Sequence, residues 1–317
     1  MNLQGRDFLL LVTLAAAAAT PAWGQSVAPA VGPAGGGTQS AASIPDFSGI
    51  WGHLTWPDVE PPLAGPGPVR NKSLRNGMSD IYQLVGDYTN PILKPQAAQV
   101  VKKAGEIALS GVTYPTPSNQ CWPGGVPFIF WNIGMQMIQQ PDKITILYSN
   151  DHEFRHVRMN QTHPARVTPS WHGDSVGHYE GDTLVVDTVG IKADRPFAMV
   201  DMYGTPHSEA LHVVERYRLL DYEAAKEAEE RGEKGNFRLR SSDPGFAPDP
   251  DYKGKGLQLQ FTVEDDGVFT TPWSAAIIYR RPLSPLGQWP ESVCAENPHE
   301  YYAGKDTAVP IADKPDF

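Results

Sequence analysis

Residues 173–188 read Gly173-Asp174-Ser175-Val176-Gly177-His178-Tyr179-Glu180-Gly181-Asp182-Thr183-Leu184-Val185-Val186-Asp187-Thr188. Glu180-Gly181-Asp182 carries turn chemistry, and the flanks are of strand length, so the stretch reads as strand, tight turn, strand. Side chains alternate between the two faces of a strand. On the second strand Asp187 therefore shares a face with Val185 and Val189, which sets a carboxylate among side chains that favour burial.

The same composition recurs outward in both directions. Residues 135–139, 144–149, 154–160, 211–219, 257–263 and 275–280 are further runs rich in β-branched, aliphatic and aromatic residues. Pro141-Asp142 and Asp265-Asp266-Gly267 supply turns between neighbours. The strands do not alternate with helices as a parallel sheet requires. The expected fold is mainly β, with residues 46–317 forming one antiparallel β-barrel or strongly curved sheet of lipocalin-like architecture, a few peripheral helices and long loops. One helix is expected from Pro95, with Ala97, Val100, Val101, Ala104 and Ala108 at three- and four-residue spacing and a stop at Gly111. A second, charged and solvated, is expected as an insertion over 221–234.

Strand parity selects candidate functional groups. Arg155 shares a face with Val157 and Met159, and Glu215 shares one with Leu211, Val213, Tyr217 and Leu219. Three charges on apolar faces are costly apart, so Arg155, Asp187 and Glu215 are expected to meet inside as a hydrogen-bonded cluster. Such a cluster either fixes strand register or leaves one carboxylate able to carry a proton. His172, beside Asp174, is expected near the mouth of that interior as a titrating group. Trp122, Phe130, Trp131, Trp171 and Trp273 are candidate walls for a small hydrophobic or aromatic molecule, and core packing explains them equally well.

Two motif matches fail on context. His152-Glu153-Phe154-Arg155-His156 fits H-E-x-x-H, but its neighbours alternate like a strand, which would hold the two histidines about 13 Å apart. Gly173-Asp174-Ser175-Val176-Gly177 fits G-x-S-x-G, but a nucleophile elbow runs from strand into helix and here a turn and strand follow. Neither zinc nor an organic cofactor is expected.

The N-terminus has Arg6, an apolar run from Phe8 to Ala19, and Pro21-Ala22-Trp23-Gly24 before Gln25, the layout of a secretory leader cleaved after Gly24. Residues 25–45, rich in Ala, Gly, Pro and Ser, read as a disordered linker. The apolar run is short of the roughly 20 residues a membrane span needs. A formal net charge of −10 makes nucleic acid and anionic lipid poor partners. The two cysteines, Cys121 and Cys294, are expected to pair in an oxidising compartment.

Phe47-Ser48-Gly49-Ile50-Trp51, residues 155–164 and 173–188, Val214-Glu215-Arg216-Tyr217, Pro272-Trp273 and Cys294-Ala295-Glu296-Asn297 together resemble a large group of uncharacterised secreted bacterial proteins. That resemblance implies export and a mostly β domain, with 221–234 as an insertion. The functional expectation is a periplasmic or secreted enzyme without cofactor, of lyase, dehydratase or isomerase type, acting on a small hydrophobic or aromatic molecule. The alternatives are a noncatalytic carrier with the same barrel, a serine hydrolase and a cell-envelope interaction protein.

Overall fold

The computed structural model describes residues 44–53, 59–80, 82–132, 134–149, 153–195, 197–235, 249, 251–282 and 294. The expected leader, nearly all of the expected linker, and His152 lie outside them. Nine strands form one sheet: β1 (Gly49–Gly52), β4 (Gly134–Gln139), β5 (Lys143–Tyr148), β6 (Phe154–Met159), β7 (Asp174–Glu180), β8 (Thr183–Val189), β9 (His212–Leu220), β10 (Gly256–Glu264) and β11 (Trp273–Tyr279), hydrogen-bonded in that order. The missing numbers, β2 (Leu74–Arg75) and β3 (Met78–Ser79), are a separate short hairpin. Its Asn76-Gly77 turn has positive φ at both residues, as a two-residue hairpin turn demands. Between the outer strands of the sheet, Gly52 and Arg280 exchange backbone hydrogen bonds of 2.8 and 2.7 Å, which brings the sheet round into a nearly closed barrel.

Every adjacent pair is antiparallel except β6 and β7, which run parallel with Val157 opposite Ser175. A parallel pair needs a crossover, and residues 160–173 provide it. Sequence pattern alone did not single this pair out.

The inward positions are filled by large side chains. Trp51, Tyr148, Tyr217, Phe130, Phe261, Trp273 and Tyr279 are all at most 2% exposed. Phe130 and Trp131, from the 3₁₀ turn Phe128–Trp131, set their rings edge to face against Phe261, with centroids 5.0 and 6.4 Å away; Trp273 meets the same ring at 5.9 Å. Fully burying side chains of this size stabilises by roughly 1.5–3 kcal/mol each. This barrel interior is a packed core.

Helix α1 (Pro95–Leu109) begins with Pro95 at its first turn and buries Ala97, Val101, Ala104 and Gly105. Helix α2 (Tyr222–Lys234) is capped by Asp221, whose carboxylate accepts from the Ala224 N–H at 2.9 Å. It is less solvated than its charge suggests, since Ala225 and Ala228 are buried. Gly256 permits that approach: a Cβ there would lie 2.6 Å from that of Ala225. No helix among the described residues is long and apolar enough to cross a membrane.

Candidate functional site

Arg155 on β6 and Glu215 on β9 meet inside the barrel, as parity required. Nη1 donates to Oε1 at 2.8 Å and Nη2 donates to Oε2, a bidentate pair with side-chain exposures of 2% and 0%. Arg155 Nε donates to the Tyr148 hydroxyl at 2.9 Å, and the Tyr217 hydroxyl donates to Glu215 Oε2 at 2.7 Å. Ser175 and Thr188 complete the shell, their hydroxyls 2.9 Å apart. Burial works to lower the Arg155 pKa, but the Glu215 carboxylate together with Tyr148 and Tyr217 outweighs it and holds the guanidinium charged. Burial raises the phenols of Tyr148, Tyr217 and Tyr279 above their ordinary values, so they stay neutral. This pair is closed off from water and ringed by neutral hydroxyls, and it ties β6 to β9 across the barrel.

Asp187 does not join this cluster. On β8 the inward face is Leu184, Val186 and Thr188, each fully buried, while Asp187 stands on the outer face with Val185 and Val189. The strand is apolar on both faces, so alternation could not choose between them. Outside, Asp187 Oδ1 lies 2.9 Å from His212 Nε2 and 3.2 Å from His163 Nε2. His163 Nδ1 reaches Asp174 Oδ2 at 2.6 Å, and Arg158 Nη2 donates to both Asp174 oxygens at 2.9 and 2.7 Å. Asp174 therefore pairs with Arg158 and His163 and has no part in a centre with His172. His163 lies in the 160–173 crossover, so this outer chain of hydrogen-bonded groups pins the crossover against β7 and β8. Among the described residues no group of His, Cys, Asp or Glu has the arrangement to hold a metal ion.

His172 occupies the end of the barrel, where the parallel pair has a direct consequence. Because β6 and β7 run the same way, the residues that lead into them, Glu153 and His172, arrive at the same end. His172 Nε2 lies 3.0 Å from Glu153 Oε2, with side-chain exposures of 16% and 12%. Both Glu153 oxygens also accept from the Gly124 N–H, at 3.0 and 3.1 Å. With the carboxylate fixed as acceptor, Nε2 carries the hydrogen, and in the neutral imidazole Nδ1 is then the nitrogen with the lone pair. That Nδ1 is buried and has no hydrogen-bond partner among the described residues.

Arg195 braces the surrounding loops. It donates to the carbonyls of Lys192, Pro123 and Gly124 at 3.0, 3.1 and 3.2 Å, and its guanidinium lies 4.8 Å from the Trp171 ring centroid. Burial lowers its pKa to about 10 against the opposing pull of Glu153, so it remains a cation near neutral pH. Gly125, at φ +70°, lets the loop seat closely: a Cβ there would lie 2.5 Å from the Trp171 carbonyl oxygen.

The five aromatic candidates divide. Phe130, Trp131 and Trp273 belong to the packed core. Trp122 and Trp171, both partly buried, meet edge to face at 5.5 Å beside His172. Cys121, adjacent to Trp122, is bonded to Cys294, with Cα atoms 5.3 Å apart. Ser175 points inward from a strand, and His156 turns outward on another, its Nδ1 2.9 Å from Thr145 Oγ1; both agree with rejection of the two motifs. Sequence reasoning missed Glu153, which it saw only inside H-E-x-x-H, and Arg195, which sits in a loop with no local signal.

Comparison with protein-family models, with curated proteins and with solved structures finds no match.

Proposed function

We propose that this protein is an exported enzyme in which Glu153 and His172 carry out acid/base chemistry, of lyase, dehydratase or isomerase type, on a small hydrophobic or aromatic molecule at the barrel end. The observation that carries the reading is the His172 imidazole: one nitrogen is oriented by an anchored carboxylate, and the other is shielded from water with no hydrogen-bond partner among the described residues. A buried nitrogen left without a partner costs stability, which a bound molecule would recover. In this reading Nδ1 takes a proton from the substrate, Glu153 steadies the imidazolium that forms, and the same nitrogen returns the proton at the adjacent atom or to the leaving group. Trp122 and Trp171 supply a flat apolar wall. The filled barrel interior favours chemistry at this end over carriage inside, and the Cys121 to Cys294 bond is in keeping with an oxidising compartment.

The test is native mass spectrometry of protein purified from its own host, followed by NMR of the released metabolite returned to fresh protein in D₂O. Conversion, or catalytic exchange of a carbon-bound hydrogen, is expected. A metabolite that binds in one-to-one ratio and is neither converted nor exchanged would move the reading to a carrier.

A further inference from the structure

A cavity of about 430 Å³ opens beside the C-terminal end of α1, lined by Tyr82, Leu84, Ala108, Val112, Tyr114 and Met202, with Thr116, Ser118 and Asn119 at its polar side. Its volume lies in the range of small-molecule sites. On the polar side the Asn119 side-chain amide is already satisfied. Asn119 Oδ1 accepts from the Thr116 N–H at 2.7 Å and from Gln120 Nε2 at 3.2 Å, while Nδ2 donates to the Tyr114 carbonyl at 2.9 Å. Thr116 Oγ1 accepts from the Asn119 N–H at 3.3 Å. No charged side chain is among the described lining residues. Arg75, whose guanidinium lies 5.1 Å from the Tyr82 ring centroid, is paired with Asp80 at 3.1 Å. An ionised guest would leave water without gaining a partner here, whereas an apolar one would cover Tyr82 and Val112, which are 79% and 59% exposed.

We propose that this cavity binds a small uncharged aromatic molecule and is a second site, distinct from the Glu153 and His172 centre. None of that centre's residues lines it, although the two are neighbours: the Trp122 N–H donates to the Pro117 carbonyl at 2.9 Å, in the turn that carries Thr116 and Ser118. Planar shape suits the two tyrosine rings, and neutrality follows from the lack of a charged side chain among the described lining residues.

The experiment is fluorescence titration of the full-length protein with the neutral probe N-phenyl-1-naphthylamine, with competition by neutral naphthalene and by charged 1-naphthoate and 1-naphthylmethylammonium. Saturable one-to-one binding displaced by naphthalene at least tenfold better than by either ion is expected. Two variants locate it. Ala108→Trp fills the cavity, and Val112→Asp adds a charge at an exposed position where folding is undisturbed; each should weaken the probe at least tenfold, while His172→Gln binds it as the parent does. Absence of saturable binding, equal competition by the ions, or unchanged affinity in both variants overturns the proposal. So does binding that appears only after removal of residues 296–317, which would make the chain's own end the occupant.

Discussion

Glu153 and His172 meet at 3.0 Å because the strands they lead into, β6 and β7, are the one parallel pair among the described strands of the barrel. Had β7 run the other way, its first residue would have emerged at the opposite end, by Met159, and the two side chains would lie a strand length apart. The crossover of residues 160–173 that permits this arrangement is held by the outer chain Arg158, Asp174, His163, Asp187 and His212. Site and scaffold are thus linked through the same pair of strands.

The interior pair sets the first expectation. Glu215→Gln or Arg155→Leu removes one member of a fully buried, bidentate pair and leaves the other uncompensated, at a cost of about 3–5 kcal/mol. The double variant Arg155→Met with Glu215→Leu should recover much of that loss. Urea denaturation followed by tryptophan fluorescence measures both; single variants within about 1 kcal/mol of the parent would mean that the pair is dispensable.

Stability should depend on pH through the outer chain. Burial opposes ionisation of Asp187, but hydrogen bonds from His212 and His163 outweigh it and lower its pKa below 3.8. The hydrogen bond to Asp187 raises the His212 pKa above 6.5 despite burial. The raised histidine contributes fully below pH 6.5 and loses its contribution as pH rises through its folded value. The depressed carboxylate contributes above pH 3.8 and loses its contribution as pH falls through its own. The difference in melting temperature between the parent and Asp187→Asn is therefore expected to be largest between about pH 4 and 6.5 and to shrink on either side. A difference that is flat from pH 3 to 9 would assign Asp187 no such role.

The disulfide closes a loop of 173 residues and stabilises by roughly 5 kcal/mol in the chain-entropy model. Cys121→Ser with Cys294→Ser should lower the urea midpoint accordingly, and thiol titration of the unreduced parent under denaturant should find no free thiol. Two free thiols per chain in protein purified without reductant would contradict the pairing.

Much of this fold was legible in the residues. The tight turn at Glu180-Gly181-Asp182, the strand runs, the helix within 221–234 and the Pro95 start are local signals, and each stands where the sequence places it. Parity worked for Arg155 and Glu215 because their strands are polar on the other face, with His156, Arg158, Arg216 and Arg218 turned outward. It failed for Asp187 because Leu184, Val185 and Val186 are all buried, and a strand covered on both faces has no period to read. The direction of β7 depends on how the crossover packs, which no short window contains. Glu153 and Arg195 were hidden for the same reason: their partners are Gly124, His172 and the Trp171 ring, residues brought close only by the closed barrel.

The most direct measurement compares His172→Gln and Glu153→Gln with the parent for turnover of the co-purified metabolite, and for its binding by isothermal titration. If the imidazole moves the proton, His172→Gln loses about 100-fold or more in kcat, Glu153→Gln loses less, and both keep affinity within a few-fold. If both variants turn the metabolite over at the parent's rate, the pair is only a brace between two loops and the chemistry lies elsewhere.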